Sequence, residues 1–382
     1  MKSRTPAEVF PPGEFLKEEL DARGWTQTDL AEILGRPTRL INEIINAKRG
    51  ISPETARGLA DAFGTSAEYW LNLESAYQLS KVRNDDDTIS HRARLYGKAP
   101  IKEMVKRNWI ETSSNTSVLE QNVLQFLEIN SLDEEPNFLA HAARKSTRYD
   151  IISPTPQQMA WLFRSKHLSK NIQANPFTPA RFNNALEELR TLIHTPEEAR
   201  HVPRILSEGG VRFLIVEALP QTKIDGACFW LDSKSPVVVV SMRYDRIDYF
   251  WHTLMHELGH VRNKDGLSNA YLAMDTDLFA EDVTGHERPQ CEIDADRFAV
   301  EYLVPQNELE DFILRVSPIY PKVNLVGFAN LMDVHPGIVL GQLQHRDKLS
   351  YARYRELLVK VRDVVTQSSL TDGFGNTLPA IV

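Results

Sequence analysis

The sequence predicts a multidomain, mainly α-helical chain with one α+β portion, and three observations carry that prediction. Residues 10–80 hold closely spaced amphipathic segments, and residues 88–200 hold helical segments punctuated by seven prolines. Three short β-rich runs between Val211 and Ser241 then precede two long helical segments. The expected divisions are residues 1–84, 88–200, 201–345 and 346–382.

The N-terminal part is expected to be all-α. Thr26–Leu34 and, after Gly35-Arg36-Pro37, Thr38–Ala47 have the spacing of a helix-turn-helix. Leu30, Ala31, Ile33 and Leu34 would meet Leu40, Ile41, Ile44 and Ile45, and Gly35 fits a turn that needs positive φ. A second helix lying in the major groove nominates Thr38, Arg39 and Asn42 for base edges. Gln27, Lys48 and Arg49 would hold phosphates. Residues 1–84 carry eleven Lys and Arg against twelve Asp and Glu, so the basic character is a local patch around Arg36, Arg39, Lys48 and Arg49.

The segments Trp25-Thr26-Gln27-Thr28-Asp29-Leu30-Ala31, Ile51-Ser52-Pro53-Glu54-Thr55-Ala56 and Tyr69-Trp70-Leu71-Asn72-Leu73-Glu74-Ser75-Ala76-Tyr77 resemble HigA-type antitoxins of the Cro/repressor helix-turn-helix class. The resemblance spans most of residues 10–82. It implies a homodimer binding an operator, often that of its own gene, and brings a toxin or repressor as protein partner. Such antitoxins usually end near the aromatic segment, whereas this chain continues for about 300 residues.

The hydrophilic Asp85-Asp86-Asp87 is expected to join this domain to the helical middle region. There, Met159–Phe163 and Phe182–Leu192 read as core faces, and no repeat or chemical motif stands out. Val211–Val216, Gly226–Leu231 and Val237–Ser241 follow, the last two joined by the turn-like Asp232–Pro236. They read as a small antiparallel sheet whose edge could hold an extended peptide.

His256-Glu257-Leu258-Gly259-His260 comes next, a spacing expected by chance about 0.02 times in a chain of this composition. Tyr249–Val261 reads as a helix with Phe250, Leu254, Leu258 and Val261 as its apolar stripe. Residues i and i+4 then share a face about 6 Å apart, so both imidazoles can converge on one zinc while Glu257 reaches a metal-bound water as catalytic base. A catalytic zinc takes three protein ligands. Glu292, on a helical segment that Pro305 ends, is assigned as the third, and Asp296, one turn on, as the carboxylate accepting a ligand imidazole's other N–H. His252, Tyr249, Tyr271 and His286 are candidates to steady an oxyanion, with His252, one turn before His256, taken first.

His256–His260 followed by the pattern E-x-x-A-D-x-F-A-x-x-x-L-x-P from Glu292 to Pro305 resembles the zinc metallopeptidase domain of the ImmA/IrrE family. The resemblance covers about 140 residues, from near His201 to His345. It implies a compact zincin-like domain in which His256, His260 and Glu292 hold Zn²⁺ and Glu257 is the general base.

With 382 residues, 42% apolar and 25% charged, the chain has the make-up of a soluble globular protein. No apolar run approaches 18 residues and Met1-Lys2-Ser3-Arg4 does not open a signal peptide, so a cytoplasmic protein without membrane contact is expected. The net charge of −8 falls almost wholly after residue 84, which excludes the acidic body as a DNA-binding surface. Cys228 and Cys291 are too few for a disulfide framework, and Cys291 is expected as a buried thiol turned away from Glu292. His335 and His345 are not expected to bind metal. Ile338–Leu349 and Tyr351–Val365 read as two helices, and Thr371–Asn376 as a frayed tail. The expected function is a DNA-binding regulator with a zinc endopeptidase domain that cleaves a partner or itself. The alternative is a repressor whose zincin-like domain only senses a ligand or partner.

Overall fold

The computed structural model describes residues 9–81, 88–138, 154–267, 273–276 and 289–377. Asp85–Asp87, Tyr271, His286 and most of the segment 261–289 fall outside them. The chain divides into two compact units, 1–90 and 91–382.

The first unit contains helices α1 (Pro12–Arg23), α2 (Gln27–Leu34), α3 (Thr38–Ile45), α4 (Pro53–Phe63) and α5 (Ala67–Lys81). Local chemistry sets their ends. Thr26 and Asp29 form a reciprocal capping box at the start of α2, and Gly24, Gly35 and Gly64 close α1, α2 and α4 in the left-handed region. Leu16, Leu20, Leu30, Ala31, Ile41, Ile44, Leu59, Phe63 and Trp70 make the core. Ile33 is 51% exposed, so it does not join the α2–α3 contact as the apolar period suggests, and α2 gives Leu30 and Ala31 to the core instead. Replacing Thr26 with alanine is expected to cost about 1 kcal/mol in urea unfolding of this unit.

Helix α6 (Thr88–Lys98) carries the chain into the second unit, and α7 (Ile101–Lys106), α8 (Thr116–Phe126), α9 (Pro156–Ser169), α10 (Pro179–Arg190) and α11 (Val202–Glu208) follow. The strands are β1 (Arg212–Ile215), β2 (Ile224–Trp230), β3 (Pro236–Val240), β4 (Ala273–Thr276) and β5 (Leu370–Thr371), in the order β4-β2-β3-β1-β5. The remaining helices are α12 (Ile247–Asn263), α13 (Gln290–Leu303), α14 (Gln306–Val316), α15 (Lys322–Leu331), α16 (Pro336–His345) and α17 (Arg362–Thr366). Among the described residues no single helix is long and apolar enough to cross a membrane.

The sheet is mixed. β2 pairs antiparallel with β3 and β4, as the sequence suggests for a hairpin, but β1 runs parallel to both β3 and β5. Both its faces are covered: Phe213, Ile215, Val238 and Val240 join the core containing α12, whereas Leu214, Val216, Val237 and Val239 join the core containing Trp161, Leu162 and Phe163 of α9. A strand buried on both faces reads as a continuous apolar run, which is what Val237–Val240 is.

Two further expectations are corrected. Tyr351–Val365 is not one helix: Tyr354 adopts a left-handed conformation, a short 3₁₀ turn spans Arg355–Leu357, and helix returns only at Arg362–Thr366. The carbonyl of Val359 instead accepts from the N–H of Ile247, tying this stretch to the start of α12. Nor is Thr371–Asn376 frayed. Thr371 belongs to β5, Asp372 is buried, and the Asn376 N–H donates to Glu217 at 2.8 Å.

Burial disfavours ionisation of Glu128, but Lys166 at 2.5 Å and Lys170 at 3.2 Å hold its carboxyl down at about 2. A depressed acid stabilises the fold above its ordinary value of 4.5 and loses that contribution as pH falls from there toward 2. Glu128→Gln is therefore expected to narrow the gap between urea midpoints measured at pH 6 and pH 3.

Candidate metal centre and nucleic-acid interface

Helix α12 runs through the second unit's core, with Phe250, Trp251, Leu254, Met255, Leu258 and Val261 buried. Its partner α13 approaches closely at Gly259, where an added Cβ would lie 3.0 Å from Ala295 Cα. That approach sets Glu292 and Asp296 of α13 against the imidazoles of α12.

His256 Nε2 lies 3.1 Å from His260 Nε2 and 3.2 Å from Glu292 Oε2, and His260 Nε2 lies 3.6 Å from the same oxygen. Among the described residues these three form the one cluster of His, Cys, Asp and Glu that could hold a metal. His256 Nδ1 faces Asp296 at 2.7 Å and His260 Nδ1 faces Asp265 at 2.9 Å. In a neutral imidazole whose Nδ1–H donates to Asp296 or Asp265, Nε2 is left with its lone pair, the form a metal ligand needs. Two lone pairs and a carboxylate oxygen at such separations repel, and a cation among them reverses the sign. Zinc bonds of about 2.0–2.1 Å give tetrahedral edges of about 3.3 Å, so the donor set fits zinc in spacing and in chemistry.

Glu257 is fully buried, and β2 comes so close that a Cβ at Gly226 would overlap its carboxylate, 3.0 Å from Cδ. Of the oxyanion candidates, His252 lies one turn before His256 with the rings 6.4 Å apart. It lines a shallow, partly open depression with Asp248, Val300, Leu303 and Gln342. Tyr249 lines a second, smaller one with Asp225, Tyr244 and Thr253. Burial, with Asp225 and Tyr244 nearby, holds the Tyr249 hydroxyl protonated well above its ordinary range. Tyr271 and His286 lie outside the described residues.

His335 caps α16 by accepting from the Gly337 N–H, and His345 lines the same depression as His252. Cys291 is half-buried, more open than expected because its helix face turns from the core, and Cys228 is buried. The sequence reading missed two features. Asp265 is the carboxylate of the second imidazole, and its only signal is an acidic residue just past the helix end at Asn263. Gly226 is legible only as a glycine inside a strand, a mark of close backbone approach.

In the first unit, Thr38, Arg39, Asn42, Lys48 and Arg49 are exposed and Gln27 is half-buried. Asn42 donates to Gln27 Oε1 at 3.2 Å, joining the starts of α2 and α3. Glu43 pairs with Arg39 at 2.7 Å and Arg49 at 3.5 Å, a neutralising contact that charge counting alone does not reveal. Gly13 of α1 seats the end of α3: an added Cβ would lie 2.6 Å from the Ile45 carbonyl oxygen and 2.7 Å from Ile45 Cα. Gly13→Ala is expected to cost about 1–3 kcal/mol in unfolding of this unit, the range for overpacking against rigid backbone.

These two units define a helix-turn-helix protein that carries a metallopeptidase-like domain. A helix-turn-helix family model matches residues 16–70, and a model described as the IrrE N-terminal-like domain matches residues 212–320. Virulence-associated protein I of Dichelobacter nodosus is 39% identical over 90 residues, 23% of this chain and 82% of that protein. Antitoxin HigA-1 of Vibrio cholerae is 37% identical over 82 residues, 21% of this chain and 74% of that protein. A solved structure described as Pseudomonas aeruginosa antitoxin HigA with higBA promoter is 36% identical, covering 19% of this chain and 80% of that chain, with a TM-score of 0.19. The chain belongs to the HigA-type helix-turn-helix antitoxin family, with an IrrE/ImmA-type domain joined to it.

Proposed function

We propose that the chain is a cytoplasmic DNA-binding transcriptional regulator whose second unit is a zinc-dependent endopeptidase acting on a regulatory partner or on the chain itself. Residues 1–84 would bind operator DNA as a homodimer and residues 201–345 would carry the chemistry, with 88–200 as its helical surround and 346–382 as a helical extension and tail. The observation that carries the reading is the convergence of His256, His260 and Glu292 with Glu257 buried beside them.

His256, His260 and Glu292 would hold Zn²⁺, which when bound polarises a carbonyl and acidifies water. Asp296 fixes the His256 tautomer through Nδ1. Glu257 takes a proton from water as the water oxygen bonds the carbonyl carbon, and delivers it to the amine nitrogen as the C–N bond breaks. His252 steadies the oxyanion, so His252→Ala lowers the rate without lowering zinc content. Gly226 leaves room for Glu257, and Gly226→Ala displaces its carboxylate and lowers cleavage, again with zinc retained. In DNA binding, Thr38, Arg39 and Asn42 read bases while Gln27, Lys48 and Arg49 hold phosphates.

The complete burial of His256, Glu257 and His260 favours a second reading, in which the domain senses a ligand or partner without cutting. One experiment separates the two. The zinc-loaded full chain is incubated alone and with proteins encoded beside its gene, with and without chelator. Chelator-sensitive cleavage supports the peptidase; no cleavage, with operator binding that shifts when partner is added, supports the sensor.

A further inference from the structure

We propose that Asp265 is a positioning residue for the metal centre, holding His260 in the ring orientation and tautomer that ligation needs. The inference rests on the reading of His256, His260 and Glu292 as metal ligands.

Helix α12 ends at Asn263, and Lys264 turns the chain through the left-handed region, φ 59°. The Asp265 N–H then donates back to the His260 carbonyl at 3.0 Å, which aims its side chain at the same residue's ring. Asp265 Oδ2 accepts from His260 Nδ1 at 2.9 Å, with the imidazole fully buried and the carboxylate 9% exposed. The Asp265 carbonyl accepts the Trp230 indole N–H at 2.9 Å, so β2 fixes this turn from the other side.

The two imidazoles are thus buttressed differently. Asp296, on the helix that also supplies Glu292, holds His256, and its side chain is 26% exposed. Asp265 holds His260 from the end of that histidine's own helix, independently of α13. Its two backbone hydrogen bonds do not involve the carboxylate, so a change of side chain separates positioning of the ring from the shape of the turn.

Carboxylates that accept the second N–H of a ligating imidazole typically contribute 10–100-fold to metal affinity. In the full-length chain, zinc affinity measured by competition with a chromophoric chelator should fall about 10-fold in Asp265→Asn, where a neutral oxygen still accepts the N–H. It should fall toward 100-fold in Asp265→Ala. The cobalt(II)-loaded variants should show altered d–d absorption, whereas the thermal midpoints of the metal-free proteins should stay close together. Wild-type affinity in Asp265→Asn, whether or not Asp265→Ala folds, would overturn the proposal, as would a loss explained wholly by a lower metal-free midpoint. Absence of zinc binding by the unsubstituted chain would overturn the metal reading itself, a separate failure.

Discussion

Replacing His260 with alanine is expected to strip the chain of its metal and to remove the metal-dependent part of the second unit's stability. The substitution removes one of three converging donors and leaves Asp265 buried without its imidazole. Glu292, Asp296 and Asp265 then crowd the site with one imidazole where there were two. A ligand present at about a thousand times its dissociation constant contributes about 4 kcal/mol to the folded state. For a unit of this size that is a shift of roughly 10 °C in thermal midpoint. Elemental analysis should find near one zinc per wild-type chain and almost none in the variant, and chelator should lower the wild-type midpoint but not the variant's. Zinc that stays in His260→Ala would remove the metal from this site altogether. Operator affinity should be unchanged in either case, since the residues assigned to DNA lie in the unit spanning 1–90.

The elements most legible in the sequence are those whose residues are fixed by local rules. Helix α12 announces itself by a four-residue apolar period without proline, and α2 by its Thr26–Asp29 capping box and Gly35 stop. The placement of His256 beside His260 follows from helix periodicity, because i and i+4 spacing constrains side chains whatever surrounds the helix, whereas Glu292 reaches them through the packing of α13 on α12. What was not legible depends on partners distant in sequence. β1 runs parallel to β3 and β5, a pairing set by strands that are not neighbours in the chain, and the run Val237–Val240 signals burial on both faces but not strand direction. Tyr351–Val365 keeps a helical apolar period yet is drawn out to satisfy the Ile247 N–H at the head of α12. Gly226 and Asp265 act on Glu257 and His260 across a strand–helix contact and a helix end, so only the assembled fold reveals them.

Changing Glu257 to glutamine should lower hydrolysis by about 10²–10⁴-fold, the usual contribution of a positioned general base, while leaving zinc content at the wild-type level. The carboxamide has nearly the shape of the carboxylate and so suits the tight space beside Gly226, but it cannot take a proton from water. Because Glu257 is outside the donor trio, metal affinity is the control that separates lost chemistry from lost structure. Cleavage at wild-type rate in Glu257→Gln would rule out this residue as the base, and loss of zinc would make it part of the ligand environment instead. The same variant also discriminates at the DNA level. If it still shifts operator DNA with wild-type affinity while cleavage is gone, nucleic-acid binding and hydrolysis are separable activities of one chain, and a stand-alone hydrolase that uses its helix-turn-helix only for self-association is ruled out.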